Sequence, residues 1–155
     1  MAVVRVLSLV FILVLTGCAT APPASITPSA AAGTGGLTVL VAAVEGAPVD
    51  LTPTFTAAYT NAIASRGYAV VAAGASYNFR TYLSVVGSTA GTLLIYVTDV
   101  TNAIGVRVTR ITGQASSSLV AADPWRVVAD QLIGQAVTRT VEQFVAFLAG
   151  NAPGV

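Results

Sequence analysis

Between Tyr77 and Gln114 the chain reads "YNFRTYLSVV", "TLLIYVTDV" and "GVRVTRITGQ", three apolar-rich runs of strand length separated only by "GSTAG" and "TNAI". Connections that short, and rich in turn residues, join antiparallel neighbours, because a parallel return needs a crossover of roughly a dozen residues or more. A three-stranded meander is therefore expected at the centre of whatever this chain builds. Such a sheet can leave one face to water, but its other face has to be covered by an apolar layer.

Two flanking segments can supply that cover. "LTVLVAAV" (Leu37 to Val44) is a near-continuous apolar strand of the kind buried on both faces. The turn "EGAPVD" then leads to a helix with Thr52 as N-cap and Pro53 in its first turn, where the missing N–H costs nothing. Phe55, Tyr59, Ala62, Ile63 and Arg66 recur at helical spacing, and Gly67 ends the helix in the left-handed region. "YAVVAA" (Tyr68 to Ala73) reads as a short strand, and Gly74-Ala75-Ser76 after it reads either as a bulge or as a true turn. Asp123 caps a long helix opened by Pro124. Its apolar stripe is Ile133, Val137, Val141, Phe144 and Leu148, with Gln131, Gln135, Thr138, Glu142 and Ala146 opposite and Gly150 at its close. The order β-α-β-β-β(-β)-α predicts an α+β two-layer sandwich. Its mixed sheet has four or five strands with both helices on one face, the first two strands running parallel through a right-handed crossover.

The domain spans residues 37–149, long enough to bury close to two thirds of its unfolded surface. Residues 18–36 are almost wholly Ala, Pro, Ser, Thr and Gly, too poor in apolar surface to offset their ordering entropy, and read as a tether. Residues 150–155 form a short tail. Ahead of the tether, Arg5 precedes "VLSLVFILVL" (Val6 to Leu15), an apolar run that suits export but falls short of the ~20 residues needed to span a bilayer.

Composition excludes several functions. All seven cationic residues are arginine, and without Arg5 the remaining six balance six carboxylates, so the chain lacks the basic surface on which nucleic-acid binding depends. It contains no histidine and no lysine, and a single cysteine, Cys18. The usual general bases, activated nucleophiles and soft-metal ligands are thus missing, and neither catalytic residues nor a metal site nor a cofactor is expected. Glu45 and Asp50 are close in sequence, yet two acids beside a turn are expected to be solvated loop residues rather than a catalytic pair.

If "GSTAG" pairs Tyr82 with Tyr96, and "TNAI" pairs Tyr96 with Thr109, alternation assigns the two sheet faces. Phe79, Leu83, Val85, Leu93, Ile95, Val97, Val106 and Val108 then form the core face. Arg80, Tyr82, Ser84, Leu94, Tyr96, Thr98, Arg107, Thr109 and Ile111 form the open face. Tyrosine and arginine on an open sheet match the make-up of interface hot spots, which makes Arg80, Tyr82, Tyr96 and Arg107 the candidate partner-binding residues. Cross-strand Tyr and Thr pairs also stabilise a half-exposed sheet with no partner at all. Asp99 is expected on the core side near a strand end, in a local salt bridge or turn bond, and Trp125 as a plug over one end of the core.

Leu15-Thr16-Gly17-Cys18 resembles the lipobox of bacterial lipoproteins. That resemblance implies a signal peptide of residues 1–17, cleavage between Gly17 and Cys18, a diacylglyceryl thioether on the Cys18 sulfur and acylation of the freed amine. Ala19 after it implies sorting to the outer membrane, facing the periplasm. Cleavage by an ordinary signal peptidase after Ala21 is the alternative, though Pro22 sits just past that cut. The order of elements is similar to the outer-membrane lipoprotein activators of penicillin-binding proteins and to the lipoprotein plug subunit of the lipopolysaccharide export complex. The stretch from Val44 to Leu148, with "VEGAP" and "DPW", resembles alphaproteobacterial envelope lipoproteins. Together these imply a non-catalytic module held to the membrane through Cys18, with a further envelope protein or the cell wall as its partner. The alternative is a carrier of a lipid-like small molecule, seated where Ala57, Ala58, Ala62, Ala129 and Ala136 would leave room between the helices.

Overall fold

The computed structural model describes residues 36–151; the export segment, Cys18, the tether up to residue 35 and residues 152–155 lie outside the described residues. The elements are β1 (Thr38–Glu45), α1 (Thr52–Ser65), β2 (Ala69–Val70), β3 (Tyr77–Ser88), β4 (Gly91–Asn102), β5 (Arg107–Ser117), α2 (Pro124–Val127), a π turn (Val128–Leu132) and α3 (Ile133–Gly150). They form one mixed sheet in the order β2-β1-β3-β4-β5, covered by the helices, as the α+β reading expects. The meander β3-β4-β5 is antiparallel throughout.

β1 runs parallel to β2 on one side and to β3 on the other, so Gly74-Ala75-Ser76 belongs to a true connection that carries the chain across β1. Ser76 is pinned there, its N–H donating to Thr38 Oγ1 at 3.0 Å while Thr38 N–H donates to Ser76 Oγ at 3.3 Å. β1 is buried on one face only: Val39 and Val44 are buried, Leu40 is half-buried and Ala42 exposed. Its near-continuous apolar sequence therefore overstates its burial. The Thr52 cap is also displaced by one residue. Leu51 holds the cap position without a side-chain bond, and Thr52 is already helical, its Oγ1 reaching back to Pro48 O. Gly67, at φ +82°, ends the turn after α1 as expected. Asp123 caps α2 by accepting the Trp125 N–H at 3.0 Å.

The core lies between the sheet and the helices. Phe55, Tyr59 and Ile63 enter from α1, and Val137, Val141 and Phe144 from α3. Gln135, Thr138, Glu142 and Ala146 on the other side of α3 are exposed, as is Gln131 in the π turn before it, which matches the helical period. The π turn adds a residue to the helical path, and Val127, Val128, Leu132 and Ile133 around it are all buried. Phe144 packs edge-on against Phe79 (centroids 4.9 Å apart) and Tyr77 (5.4 Å), and Tyr59 against Phe79 (6.0 Å). Each such pair adds about 0.5 to 1.5 kcal/mol beyond area burial. Trp125 is half-buried against the same core.

Inside this core, Tyr59 Oη, Thr81 Oγ1 and Thr98 Oγ1 close a triangle of hydroxyls with sides of 3.3, 3.2 and 3.0 Å. Three hydroxyls arranged this way can each donate once and accept once, so burial leaves none of them unsatisfied.

The assignment of β4 to faces is the main correction. The β3-β4 turn contains only Thr89 and Ala90, between paired Ser88 and Gly91, and this sets Leu83 opposite Tyr96 and Tyr82 opposite Val97. The register differs by one residue from a Tyr82-Tyr96 pairing, and a one-residue difference exchanges the two faces of the strand. Leu94, Tyr96, Thr98 and Val100 are buried, whereas Leu93, Ile95, Val97 and Asp99 lie on the other face. Thr109 and Ile111 go with the covered face, opposite Val100 and Thr98. Val106 is exposed and leaves the core expected of it, whereas Val108 is half-buried and packs against the core as expected.

Candidate functional site

The face of the sheet away from the helices is laid out in cross-strand rows. One row reads Ala43-Arg80-Asp99-Arg110, the next Glu45-Tyr82-Val97-Thr112. On the other side of the arginine row, Asn78 pairs with Thr101, which pairs with Arg107. Towards the β3-β4 turn follow Ser84-Ile95-Gln114 and Val86-Leu93-Ser116.

Arg107 and Arg110 are three residues apart and would face opposite ways in a regular strand. Between Val100 and Thr101 the register to β5 shifts by one residue, so Thr101 meets Arg107 while Asp99 meets Arg110. This bulge brings both guanidinium groups to one face, around one carboxylate. Arg110 holds Asp99 bidentately, Nε to Oδ1 and Nη2 to Oδ2 both at 2.6 Å. Arg107 Nη1 stands 3.6 Å from Oδ1. The hydrogen bonds from Arg110 hold the Asp99 carboxyl below its ordinary range against the opposing effect of burial, and Asp99 in turn raises Arg110. Arg80 pairs across the face with Glu45 at 3.3 Å.

Of the four expected partner-binding residues, three share this face: Arg80, Tyr82 and Arg107 all line a depression of about 490 Å³ together with Asn78, Asp99 and Thr101. The fourth does not. Tyr96 is 1% exposed, its ring lying over Gly113 directly opposite on β5, and burial pushes its phenol up while Arg139 on α3 acts in the other direction. Asp99 and Arg110 are the residues that alternation missed. The signal was the charge of Asp99 itself, since a carboxylate facing the core beside Val100 would be left without compensation.

Glu45 and Asp50 are separated in function: Glu45 serves Arg80 on the open face, whereas Asp50 borders a second depression of about 410 Å³ beside Trp125, Arg126 and Asp130. Ala58 and Ala62 pack on the core and Ala136 is buried in it, while Ala57 is exposed. Among the described residues no group of three or more Asp, Glu, Cys or His converges as a metal site. No described helix is long and apolar enough to cross a membrane.

No family model matches the chain, and no curated protein matches it. Solved structures similar to it include the PelC dodecamer from Paraburkholderia phytofirmans, at 15% identity and a TM-score of 0.47, covering 68% of this chain and 87% of that one. Lipoprotein GNA1162 from Neisseria meningitidis is similar at 13% and 0.44, covering 70% and 95%. A minor lipoprotein from Acinetobacter baumannii is similar at 12% and 0.40, covering 68% and 93%. At such identities and TM-scores the likeness carries no residue's role from those proteins to this chain.

Proposed function

We propose that this chain is a non-catalytic, lipid-anchored protein of the cell envelope whose folded domain docks on another envelope protein, or on the cell wall, through the open face of its sheet. One observation carries the docking reading. The helices cover one face of the sheet, and on the other the inner strands β3 and β4 leave Tyr82, Val86 and Ile95 exposed at 38, 50 and 40%. Side chains of that type on inner strands normally have a covering layer, and aromatic and arginine side chains beside them fit a protein contact. The anchor reading rests on Leu15-Thr16-Gly17-Cys18, and Ala19 favours the outer membrane with the domain in the periplasm. Two or three acyl chains at about 0.8 kcal/mol per buried methylene would hold it there effectively permanently.

Two measurements in intact cells test this. A photo-crosslinking amino acid replacing Tyr82 or Ile95 is expected to give discrete adducts that the same residue at Thr138, exposed on α3, does not give. Equal adducts from all three positions, or none from the sheet, would overturn the docking reading. Cys18→Ser is expected to move the protein out of the membrane fraction; unchanged fractionation sinks the anchor.

A further inference from the structure

The open face is polarised along its strands. Val86, Leu93 and Ile95 occupy the part near the β3-β4 turn, while Glu45, Arg80, Asp99, Arg107 and Arg110 occupy the other. Within that charged part, three guanidinium groups face two carboxylates, leaving one net positive charge. The excess has an address. Both oxygens of Asp99 are engaged by Arg110, and Arg107, at 3.6 Å from Asp99, donates no side-chain hydrogen bond among the described residues. Arg80 has a single contact to Glu45 at 3.3 Å between two half-exposed side chains, a pair worth little and readily exchanged.

We propose that the depression between Arg80 and Arg107 receives the carboxylate of an acidic protein segment, with the segment's neighbouring apolar residues lying over Ile95 and Val86. This rests on the docking reading and specifies its partner. A guanidinium presents parallel N–H donors that match the two oxygens of a carboxylate, and the Asn78, Tyr82 and Thr101 side chains bordering the depression add polar groups around it. The single net charge favours a monoanion. A dianionic phosphate would be repelled by Glu45 and Asp99 in the same part of the face.

The test is NMR of the arginine Nε–H groups and isoleucine methyls of the mature, lipidated chain in neutral detergent micelles. The probe is the peptide acetyl-Val-Glu-Val-Leu-amide, with its Gln analogue and inorganic phosphate as comparisons. Saturable shifts at Arg107, Arg80 and Ile95 are expected with the Glu peptide, little change at Arg110, and none of these with the Gln peptide. Arg107→Gln is expected to weaken binding about tenfold, the scale of a lost hydrogen bond to a charged group. Arg126→Gln, outside the sheet, is expected to leave it unchanged; amide spectra of both variants check that they fold. No saturable shift at millimolar peptide, equal shifts with Gln or phosphate, or equal shifts at every arginine would overturn the proposal. If Tyr82 crosslinks in cells while the peptide is silent, the docking surface stands and the acidic partner falls. If both are silent, the docking reading falls as well.

Discussion

The hydroxyl triangle of Tyr59, Thr81 and Thr98 gives a prediction in which three substitutions cost less together than one does alone. Each oxygen is within 3.3 Å of the other two, and all three residues are 0 or 1% exposed. Tyr59→Phe removes one corner. Thr81 and Thr98 keep one bond between them, and one hydroxyl hydrogen loses its partner in apolar surroundings, at about 1.5 kcal/mol. Thr81→Val or Thr98→Val, each nearly isosteric, breaks the ring in the same way at a similar cost. If the three effects were independent, the triple variant would lose about 4 to 5 kcal/mol, a large part of the roughly 5 to 15 kcal/mol available to a domain of this size. In the triple variant, however, no polar atom remains to be left unpaired, and its stability is expected within about 1 kcal/mol of the parent. The coupling is then about 3 to 4 kcal/mol. Urea unfolding followed by Trp125 fluorescence and by circular dichroism measures it, with an unchanged slope confirming the same unfolded reference. A triple variant as unstable as the sum of the single ones would refute the closed ring.

Three further outcomes are expected. Arg110 holds the Asp99 carboxyl below its ordinary value, so this pair's contribution to stability is fully present above the usual carboxylate range near about 4 and is lost as pH falls through the lowered folded value. Urea midpoints measured down to pH 2 should therefore drop less steeply in Arg110→Gln than in the parent, and parallel curves would count against the pairing. Gly113→Ala would place a methyl carbon 2.5 Å from Tyr96 Cζ and 2.8 Å from Cε2, an overlap expected to cost about 1 to 3 kcal/mol that a second change, Tyr96→Leu, partly recovers in the thermal midpoint. Phe144→Ala empties the site where Phe79 and Tyr77 meet α3 and is expected to cost about 4 kcal/mol by chemical unfolding; a loss under about 1 kcal/mol would mean that those rings are not packed as described.

The order of elements and the two-layer architecture were legible in the chain because both follow from local signals. Short turn-rich connections make strands antiparallel neighbours, and helical spacing in α1 and α3 marks the residues that face the sheet. The Asp123 cap and the Gly67 terminator were equally local. Strand β4 was different. Leu93, Ile95 and Val97 alternate with Leu94, Tyr96, Thr98 and Val100, and both sets are apolar enough to face a core. Only the two-residue turn at Thr89-Ala90 chooses between them, by fixing which β3 residue each one meets.

The candidate site divides in the same way. Arg80 and Tyr82 could be read from β3 alone, because its buried partners Tyr77, Phe79, Thr81 and Leu83 alternate without interruption. That Asp99 joins them, that Arg107 and Arg110 share a face, and that Tyr96 leaves it were set by the hairpin register and the bulge opposite Val100-Thr101. Sequence by itself determined which elements form and which side of each helix is apolar, since those preferences act within a few residues. Only the tertiary structure decided which charges meet, because strand register is settled jointly by all the strands and helices packed together.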